Sequence, residues 1–334
     1  MPRQSRIDAY GALHHVIGRG IARKKIFFDD KDRDQFLDRL GSILKGSDVS
    51  CYAWALIPNH FHLFLKTRTM SLSTVMRRLL TGYAISFNRR HRRWGHLFQN
   101  RYKSTLCQED TYLLELTRYI HLNPLRASLV KSLKELDRYK YSGHGIILGR
   151  RKNNWQDTDY VLNRFGKTRS TARREYRKFV KKGVAQGRIP ELTGGGLVRS
   201  AGGWSALKTL RRAKAYIKGD ERILGDSDFV LQSLKQSEEQ LERKYKIRTQ
   251  GYDLSKIGSR VAEVLGISTD QVFAAGKSRP TVRARSLLCY WAVREAGMTM
   301  TSISKELNIC PSAVSQSVQR GEQIAKERDF RLIP

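Results

Sequence analysis

The chain has little cysteine, few acidic residues and no long apolar run. Its four cysteines, Cys51, Cys107, Cys289 and Cys310, include no CxxC pair. This spacing argues against a zinc finger or a disulfide framework and suits a reducing compartment. No stretch approaches the roughly 20 apolar residues of a transmembrane helix, and the first residues lack the apolar segment of a signal peptide. We therefore expect a soluble, cytoplasmic protein without a membrane partner.

Acidic residues are outnumbered two to one by basic ones. The 334 residues include 63 Lys plus Arg and 31 Asp plus Glu, a net charge of +32. Such an imbalance predicts binding to a polyanion, most simply nucleic acid, with strong salt dependence and hence association with the nucleoid. A solvated basic surface and a membrane-surface protein are the alternatives. Basic residues alternate with aromatics and glycines here, which favours nucleic acid.

Strands and helices alternate in the first part of the chain. Apolar periodicity predicts three strands, at 12–18, 51–57 and 60–66. It predicts three helices, at 31–45, 71–88 and 110–122. Pro124 is expected to end the third helix, because the residue before a proline avoids the α region. The basic, aromatic segment 89–103 reads as a loop, and the alternation favours an α+β or α/β layer with one sheet.

The remainder of the chain is predicted to be helical. Residues 155–188 and 205–248 are charged and helical in pattern, and the glycines at 194–196 and 202–203 mark a loop between them. The last segment, about 250–330, is compact. Within it 299–307, a turn at 308–310 and 311–324 read as a helix-turn-helix, whose second helix would face a DNA groove with Ser312, Ser315, Gln316 and Gln319. Two helices joined by a short turn also occur in many proteins that bind no DNA.

A pair of histidines two residues apart lies in the third predicted strand. Successive strand side chains point to opposite faces, so His60 and His62 share one face while Phe61, Leu63 and Leu65 share the other. The second set can enter a core, and the first can hold a metal ion on an open surface. In a very basic chain this pattern raises the hypothesis of a metal-assisted nuclease.

A catalytic metal site needs a third ligand and a nucleophile. Tyr119 flanks the apolar stripe of the third helix, and Asn123 follows four residues later, so both side chains can project the same way. A tyrosine and an amide oxygen beside a histidine pair suit phosphodiester transfer through a covalent phosphotyrosine. Each residue also has a purely structural alternative. The two histidines could make ordinary hydrogen bonds, Tyr119 could lie at the edge of a core, and Asn123 could cap the helix or start a turn. The other histidines are expected to be structural or solvated.

These segments together resemble the single-tyrosine HUH transposases, and the REP-associated tyrosine transposases in particular. The resemblance covers about residues 8–145 and includes Pro-Asn-His60-Phe-His62 and the stretch from Tyr119 to Asn123 with Pro-Leu-Arg-Ala behind it. It extends to His-Val-Ile-Gly-Arg-Gly from His15 and to Phe98-Gln-Asn-Arg-Tyr-Lys. It implies an α+β fold, a ferredoxin-like antiparallel sheet with helices, with the histidine pair on a central strand.

The resemblance also implies a chemistry. Tyr119 would cleave single-stranded DNA near a hairpin, forming a 5′-phosphotyrosine and a free 3′-hydroxyl that later rejoins strands. His60, His62 and Asn123 would bind Mg²⁺ or Mn²⁺, with Asn123 the least secure ligand because relatives differ there. The basic loop would hold the DNA backbone, with Trp94 and Phe98 for base stacking. The candidate DNA-binding side chains of this region are Arg19, Arg89, Arg90, Arg92, Arg93, Trp94, Phe98, Arg101 and Lys103.

The C-terminal segment is similar to the helix-turn-helix domain of DnaA-type replication initiators. Lys277, Arg279 and Arg283 carry much of that likeness, and the start of the second helix departs from it, so duplex binding is expected without that domain's sequence specificity. The domains expected are 1–150, transposase or nuclease; 151–249, basic helical connector; and 250–334, DNA-binding.

Three functions remain open at this point. The leading hypothesis is a metal-dependent single-strand transposase. The rivals are a domesticated, non-cutting DNA-binding protein and an RNA-processing enzyme, since ferredoxin-like cores also host RNA modules. The sequence leaves open the DNA target and whether the active species is a monomer or a homodimer.

Overall fold

The computed structural model of the chain describes residues 7, 11–68, 70–186, 220–276 and 278–333. They form two compact units, Met1–Leu234 and Lys235–Pro334. The predicted glycine loop at 194–203 and the predicted DNA-binding Lys277 lie outside the described residues. In the part of the chain that is described, no helix is long and apolar enough to cross a membrane.

The first unit is built on one five-stranded sheet. Its strands are β1 Leu13–Arg19, β2 Ser50–Ile57, β3 His60–Lys66, β4 Lys103–Cys107 and β5 Ile223–Leu224. Their order is β2-β3-β1-β4-β5, antiparallel throughout except that β5 runs parallel to β4. The first four strands therefore have the ferredoxin-like order, and the α+β expectation is confirmed.

Seven helices of the first unit are described before residue 187. They are α1 Asp30–Lys45, α2 Leu72–Arg90, α3 Glu109–Arg126, α4 Leu133–Leu136, α5 His144–Ile147, α6 Asp159–Leu162 and α7 Arg169–Lys182. Side chains cap α1 and α2: Asp29 accepts from the Asp32 N–H at the start of α1, and Ser71 accepts from the Thr74 N–H at the start of α2. Such caps satisfy N–H groups that have no partner within a helix.

The two faces of the sheet bury different side chains. Val16, Phe61 and Leu63 pack against α1 and α2 in one core cluster. Phe64 and the small residues Ala53 and Ala55 face α3 in a second cluster. Because paired strand residues share a face, His60 and His62 lie on the α3 side. That face was expected to be open; instead α3 covers it and leaves His62 only 3% exposed.

Gly18 of β1 makes room for the Phe61 ring on the other face of the sheet, which packs against α1 and α2. It pairs with Phe61 across the sheet, and a Cβ at position 18 would lie 2.3 Å from the Phe61 ring. Any other residue would have to move that ring, which is itself fully buried. The glycine thus keeps β1 and β3 in register beside the histidine pair.

The sequence missed or misplaced three elements. β4 lies partly in the predicted loop and β5 in a stretch predicted to be helical, because both strands are short and carry little local pattern. α3 continues through Pro124, where the helix was expected to end. The Ala127 N–H still donates to the Asn123 carbonyl, and the chain leaves the helical region at Ser128, whose φ is +56°.

The first compact unit also extends beyond the predicted boundary at residue 150. Val161 and Leu162 of α6 and Tyr176 and Val180 of α7 are buried in the same core cluster as α3. From the sequence these positions were assigned to a basic connector. The many charged residues around them made the narrow apolar stripe difficult to recognise. In the structure they pack as part of the sheet-based unit.

The helices that follow are α8 Ser227–Thr249, α9 Leu254–Leu265, α10 Thr269–Phe273, α11 Arg279–Tyr290, α12 Met300–Glu306 and α13 Pro311–Glu327, with a π-helical turn at Trp291–Glu295. α9 to α13 enclose their own core around Leu287, Trp291 and Val318. α12, a four-residue turn at 307–310 and α13 match the two helices predicted there, and Asn308 in the turn has a φ of +50°. Pro311 opens α13, where its missing N–H costs nothing.

Candidate active site

Two imidazoles and a phenol meet beneath α3. The His60 and His62 rings lie 5.0 Å apart, and the Tyr119 ring lies 6.1 Å from that of His62. The strand alternation of β3 places both histidines on this face, and the packing of α3 on Ala53 and Ala55 brings Tyr119 over them. The fold thus brings Tyr119 close to a histidine pair that lies at least 57 positions earlier in the chain.

A third histidine supports the pair. His15 of β1 stacks on His62 with ring centroids 5.2 Å apart, and a hydrogen bond of 2.9 Å joins His15 Nε2 to His62 Nδ1. The His15 ring is also 6.1 Å from Tyr119. From the sequence, His15 was expected to be structural or solvated. Its position in the first predicted strand, which pairs with the strand of His62 and turns His15 to the same face, was the signal that could have identified it.

The remaining nitrogen of His62 is free to act as a ligand. His62 Nε2 is buried and has no hydrogen-bond partner among the described residues. His60 Nδ1 is 2.7 Å from Asn59 Oδ1, and Asn59 Nδ2 donates to the Arg23 carbonyl. Each imidazole is therefore oriented through its Nδ1, the arrangement that protein metal sites use to fix a histidine tautomer.

Both imidazoles are held in the neutral form. Burial, and next the charge of Arg19, lowers the pKa of His60 to about 4. Burial lowers the pKa of His62 well below its ordinary value, with further contributions from His15 and His60. A neutral imidazole is the form that coordinates a metal ion.

Asn123 lies one helical turn beyond Tyr119. Its Nδ2 donates to the Tyr119 carbonyl over 2.9 Å, which leaves the amide oxygen as an acceptor. No group of three or more His, Cys, Asp or Glu side chains suited to a metal ion occurs in the described ranges. A metal at this pair would therefore need the amide oxygen or non-protein ligands.

Cations surround the tyrosine and the histidines. The Arg126 guanidinium lies 5.1 Å from the centre of the Tyr119 ring. Arg19, exposed at the end of β1, pairs with His60 across the strands. Arg126 was not singled out in the sequence, because its place about two turns past Tyr119 depends on α3 continuing through Pro124.

The basic loop is tied to the same end of β1. The Gln99 N–H donates to the Arg19 carbonyl, and the Ile21 N–H donates to the Leu97 carbonyl. Between this loop and α2 lies a groove of about 720 Å³, lined in part by Arg77 and Arg101. The loop thus forms one wall of this groove and is joined to the strand that carries Arg19.

The predicted DNA-binding residues of the loop fall into two groups. Arg89, Arg92, Arg101 and Lys103 are exposed, and Trp94 is 89% exposed. The side chains of the other group contact other residues of the protein. Arg90 makes ion pairs with Asp29 and the fully buried Asp32, Arg93 lies over the Phe87 ring, and Phe98 packs against Phe61 and Tyr83.

The predicted residues of the C-terminal unit lie at two helix starts. Arg279 is exposed at the first residue of α11, and Arg283 is half-buried one turn later. At the start of α13, Ser312 and Gln316 are exposed and Ser315 is half-buried. The Ser312 hydroxyl lies 3.0 Å from the Cys310 thiol.

Fold and site together define an α+β unit in which a histidine pair on a central strand faces a tyrosine on a covering helix. Residues 8–123 match the family model of the IS200-like transposases, which is about a third of the chain. The matched segment runs from β1 into α3 and contains His15, His60, His62, Tyr119 and Asn123.

The chain also has a likeness to a solved structure, that of a REP-associated tyrosine transposase bound to a REP hairpin. The two align with 14% sequence identity and a TM-score of 0.37, over 47% of this chain and 94% of the other. No curated protein matches the chain significantly.

Proposed function

We propose that the first unit cleaves and rejoins single-stranded DNA, with Tyr119 as the nucleophile. The observation that carries the proposal is the position of the Tyr119 ring, 6.1 Å from the ring of His62. The match of this segment to the IS200-like transposases supports it. So does the net charge of +32, which favours a polyanionic substrate.

The side chains at the site fit a divalent cation. His62 Nε2 is a buried nitrogen without a described partner, and both imidazoles of the pair are neutral near pH 7. His60, His62 and the Asn123 amide oxygen would hold Mg²⁺ or Mn²⁺. A bound ion of this kind polarises the scissile phosphate and offsets its developing charge.

The reaction is a transesterification at phosphorus. The Tyr119 hydroxyl oxygen forms a bond to phosphorus while the bond from phosphorus to the 3′ oxygen breaks. The phenolic proton is lost and the 3′ oxygen gains one, which leaves a free 3′-hydroxyl and a 5′-phosphotyrosine. Attack of a 3′-hydroxyl on the phosphotyrosine reverses the step and rejoins strands without ATP. Arg126, beside the phenol, is placed to balance negative charge at the phosphate.

Substrate binding would use the exposed part of the basic loop. Trp94 offers a base-stacking surface, and Arg89, Arg92 and Arg101 offer phosphate contacts. DNA hairpins with single-stranded flanks combine both requirements. The helix-turn-helix of the second unit would add duplex binding through Ser312 and Gln316 of α13.

A covalent-adduct gel tests the nucleophile. The full chain is mixed with end-labelled single-stranded hairpins from the flanks of its own gene, with Mn²⁺ or with EDTA. We expect a slower band that requires the metal and disappears in Tyr119→Phe and in His60→Ala. Tyr112→Phe, which removes another half-buried hydroxyl of α3, is the matched control and should keep the adduct. An adduct in Tyr119→Phe would sink the assignment of the nucleophile.

A second candidate is a DNA-binding protein that no longer cuts. It is favoured by one observation, that no third His, Cys, Asp or Glu ligand joins the pair among the described residues. Tight, salt-sensitive binding to the same hairpins without any adduct would support it over the transesterase.

A further inference from the structure

Helix α7 has a buried face and a basic face, and it lies beyond the segment that matches the transposase family. Ala172, Tyr176 and Val180 are buried in the core cluster that includes α3. The opposite side carries four exposed basic side chains, which are Arg174, Lys178, Lys181 and Lys182. We call these four the α7 basic face.

The buried side of α7 is fastened to the helix that carries Tyr119. The Tyr176 hydroxyl lies 2.7 Å from His121 Nδ1 on α3 and 2.9 Å from His144 Nδ1 on α5. The Arg118 guanidinium of α3 lies 4.2 Å from the centre of the Phe179 ring. The α7 basic face is therefore held in a fixed position on α3 rather than on a loose segment.

Acids oppose only part of the charge of α7. Residues 169–182 contain seven Lys or Arg and one acid, Glu175, which pairs with Arg174 and Lys178, while Arg169 pairs with Asp159 and Arg177 with Asp137 outside the helix. Lys181 and Lys182 make no ion pair with any described residue. Arg174 and Lys178 are four residues apart, as are Lys178 and Lys182, and like charges at this spacing repel on a helix. A polyanion would relieve that repulsion.

The spacing of the face suits a nucleic-acid backbone. From Arg174 to Lys182 the helix rises about 12 Å. This length spans about three to four phosphates at the 3.4 Å axial spacing of one strand of duplex DNA, the form of a hairpin stem. A helix face that only contacts solvent does not require a cluster of positive charges. On surfaces that keep a protein soluble, cations are usually mixed with acidic residues.

We propose that the α7 basic face binds the phosphate backbone of the DNA strand that is presented to Tyr119. The inference rests on the proposed function, since it assigns a further part of the same substrate to this surface. It extends the DNA-binding surface beyond the basic loop to a helix of the region that the sequence assigned only as a connector.

Salt-dependent binding of the full chain tests this assignment. The test variant changes Arg174, Lys178, Lys181 and Lys182 to Gln. The control variant changes four exposed cations on the other side of the sheet to Gln; these are Lys31 and Lys45 of α1, Arg78 of α2, and Lys140, which pairs with Asp34 of α1. Affinity for a labelled DNA hairpin with a single-stranded flank is measured at several salt concentrations. EDTA is present, so binding is followed without cutting.

The two variants lose the same charge, so a general loss of steering affects them equally. We expect the test variant to bind about tenfold or more weakly at low salt. We expect its slope of log K against log [salt] to fall by about 2–3, or about 0.7 per lost contact to a single strand. The control variant should change the slope by less than about 1.

A wild-type slope in the test variant, or equal losses in both variants, would overturn the inference and leave the cutting chemistry untouched. A loss confined to a matched RNA hairpin would overturn its assignment to DNA. A selective loss of slope in a protein that forms no phosphotyrosine adduct would uphold the surface and reject the proposed chemistry instead.

Discussion

His15 shows how one side chain can decide the chemistry of its neighbour. Its hydrogen bond occupies Nδ1 of His62 and its ring stacks on the same imidazole, so Nε2 of His62 is the nitrogen left for a ligand. Ligand histidines commonly have such a partner, and losing it typically lowers metal affinity by about 10–100-fold. His15 is thus a positioning residue of the proposed site.

Substitution of His15 tests this role. His15→Phe keeps a ring against His62 and removes the hydrogen bond, so we expect Mn²⁺ to bind about 10–100-fold more weakly. Titration calorimetry of the full chain measures this affinity. His96→Gln, at an exposed histidine of the basic loop, is the control and should bind Mn²⁺ as the wild type does. Unchanged affinity in His15→Phe would show that His15 only fills space.

Trp94 and Phe98 are two aromatics of one loop with different surroundings. Trp94 is 89% exposed, whereas Phe98 packs against Phe61 and Tyr83. We expect Trp94→Ala to weaken single-strand binding by about 1–3 kcal/mol, the range for one stacked base, with no change in thermal stability. Phe98→Ala should lower the thermal stability. Fluorescence anisotropy and thermal unfolding separate the two, and a reversed pattern would contradict the assignment.

At the scale of elements, α3 depends on α7 as well as on the sheet. The Tyr176 hydroxyl serves His121 and His144 at once, and His144 Nε2 is in turn 3.0 Å from Asp137 Oδ1. All four side chains are buried, where a polar group left without a partner is costly. The network therefore couples α5 and α7 to α3, the helix that carries the candidate nucleophile.

Removing that hydroxyl should loosen α3. We expect Tyr176→Phe to destabilise the first unit by about 1–3 kcal/mol, because two buried imidazoles lose a hydrogen-bond partner. Amide hydrogen exchange of α3 in the full chain measures the change. Tyr139→Phe is the matched control, since its hydroxyl makes one long bond of 3.4 Å to the Leu56 carbonyl. Equal protection of α3 in both variants would argue against the coupling.

At the scale of the whole molecule, histidine is confined to one unit. All eight histidines precede residue 145, and the unit from Lys235 onward has none. Burial lowers the pKa of His60 to about 4 and holds those of His62, His121 and His144 below the ordinary 6.5. The folded first unit therefore takes up protons less readily than its unfolded chain.

This difference sets the sign of the pH dependence. The stability contributed by these histidines is fully present above about pH 6.5 and is lost as the pH falls toward their folded pKa values, near 4 for His60. We expect amide exchange in β1 and β3 to be faster at about pH 5.5 than at about pH 7.5, after correction for intrinsic rates. Helix α13 of the second unit is the internal control. Equal loss of protection in both units would contradict the histidine origin.

Much of the first unit could be predicted from its residues. The alternation around His60 and His62 identified β3 and its two faces, and the apolar stripes identified α1 and α2 to within two residues. These are local patterns, since a period of two or of about 3.6 is set by backbone geometry alone. The strands β4 and β5 and the continuation of α3 through Pro124 had no such local signal.

The sequence by itself predicted a polyanionic partner and identified the histidine pair and the candidate tyrosine, because charge, alternation and helical spacing depend on neighbours along the chain. Only the tertiary structure decided which residues, distant in the chain, come into contact. The pairing of β1 with β3 placed His15 against His62, and the packing of α3 on small alanines covered a face that was expected to be open. Burial of Tyr176 turned a predicted connector into part of the same core. These are long-range contacts, chosen by shape and by burial of apolar surface, and a local pattern cannot specify them.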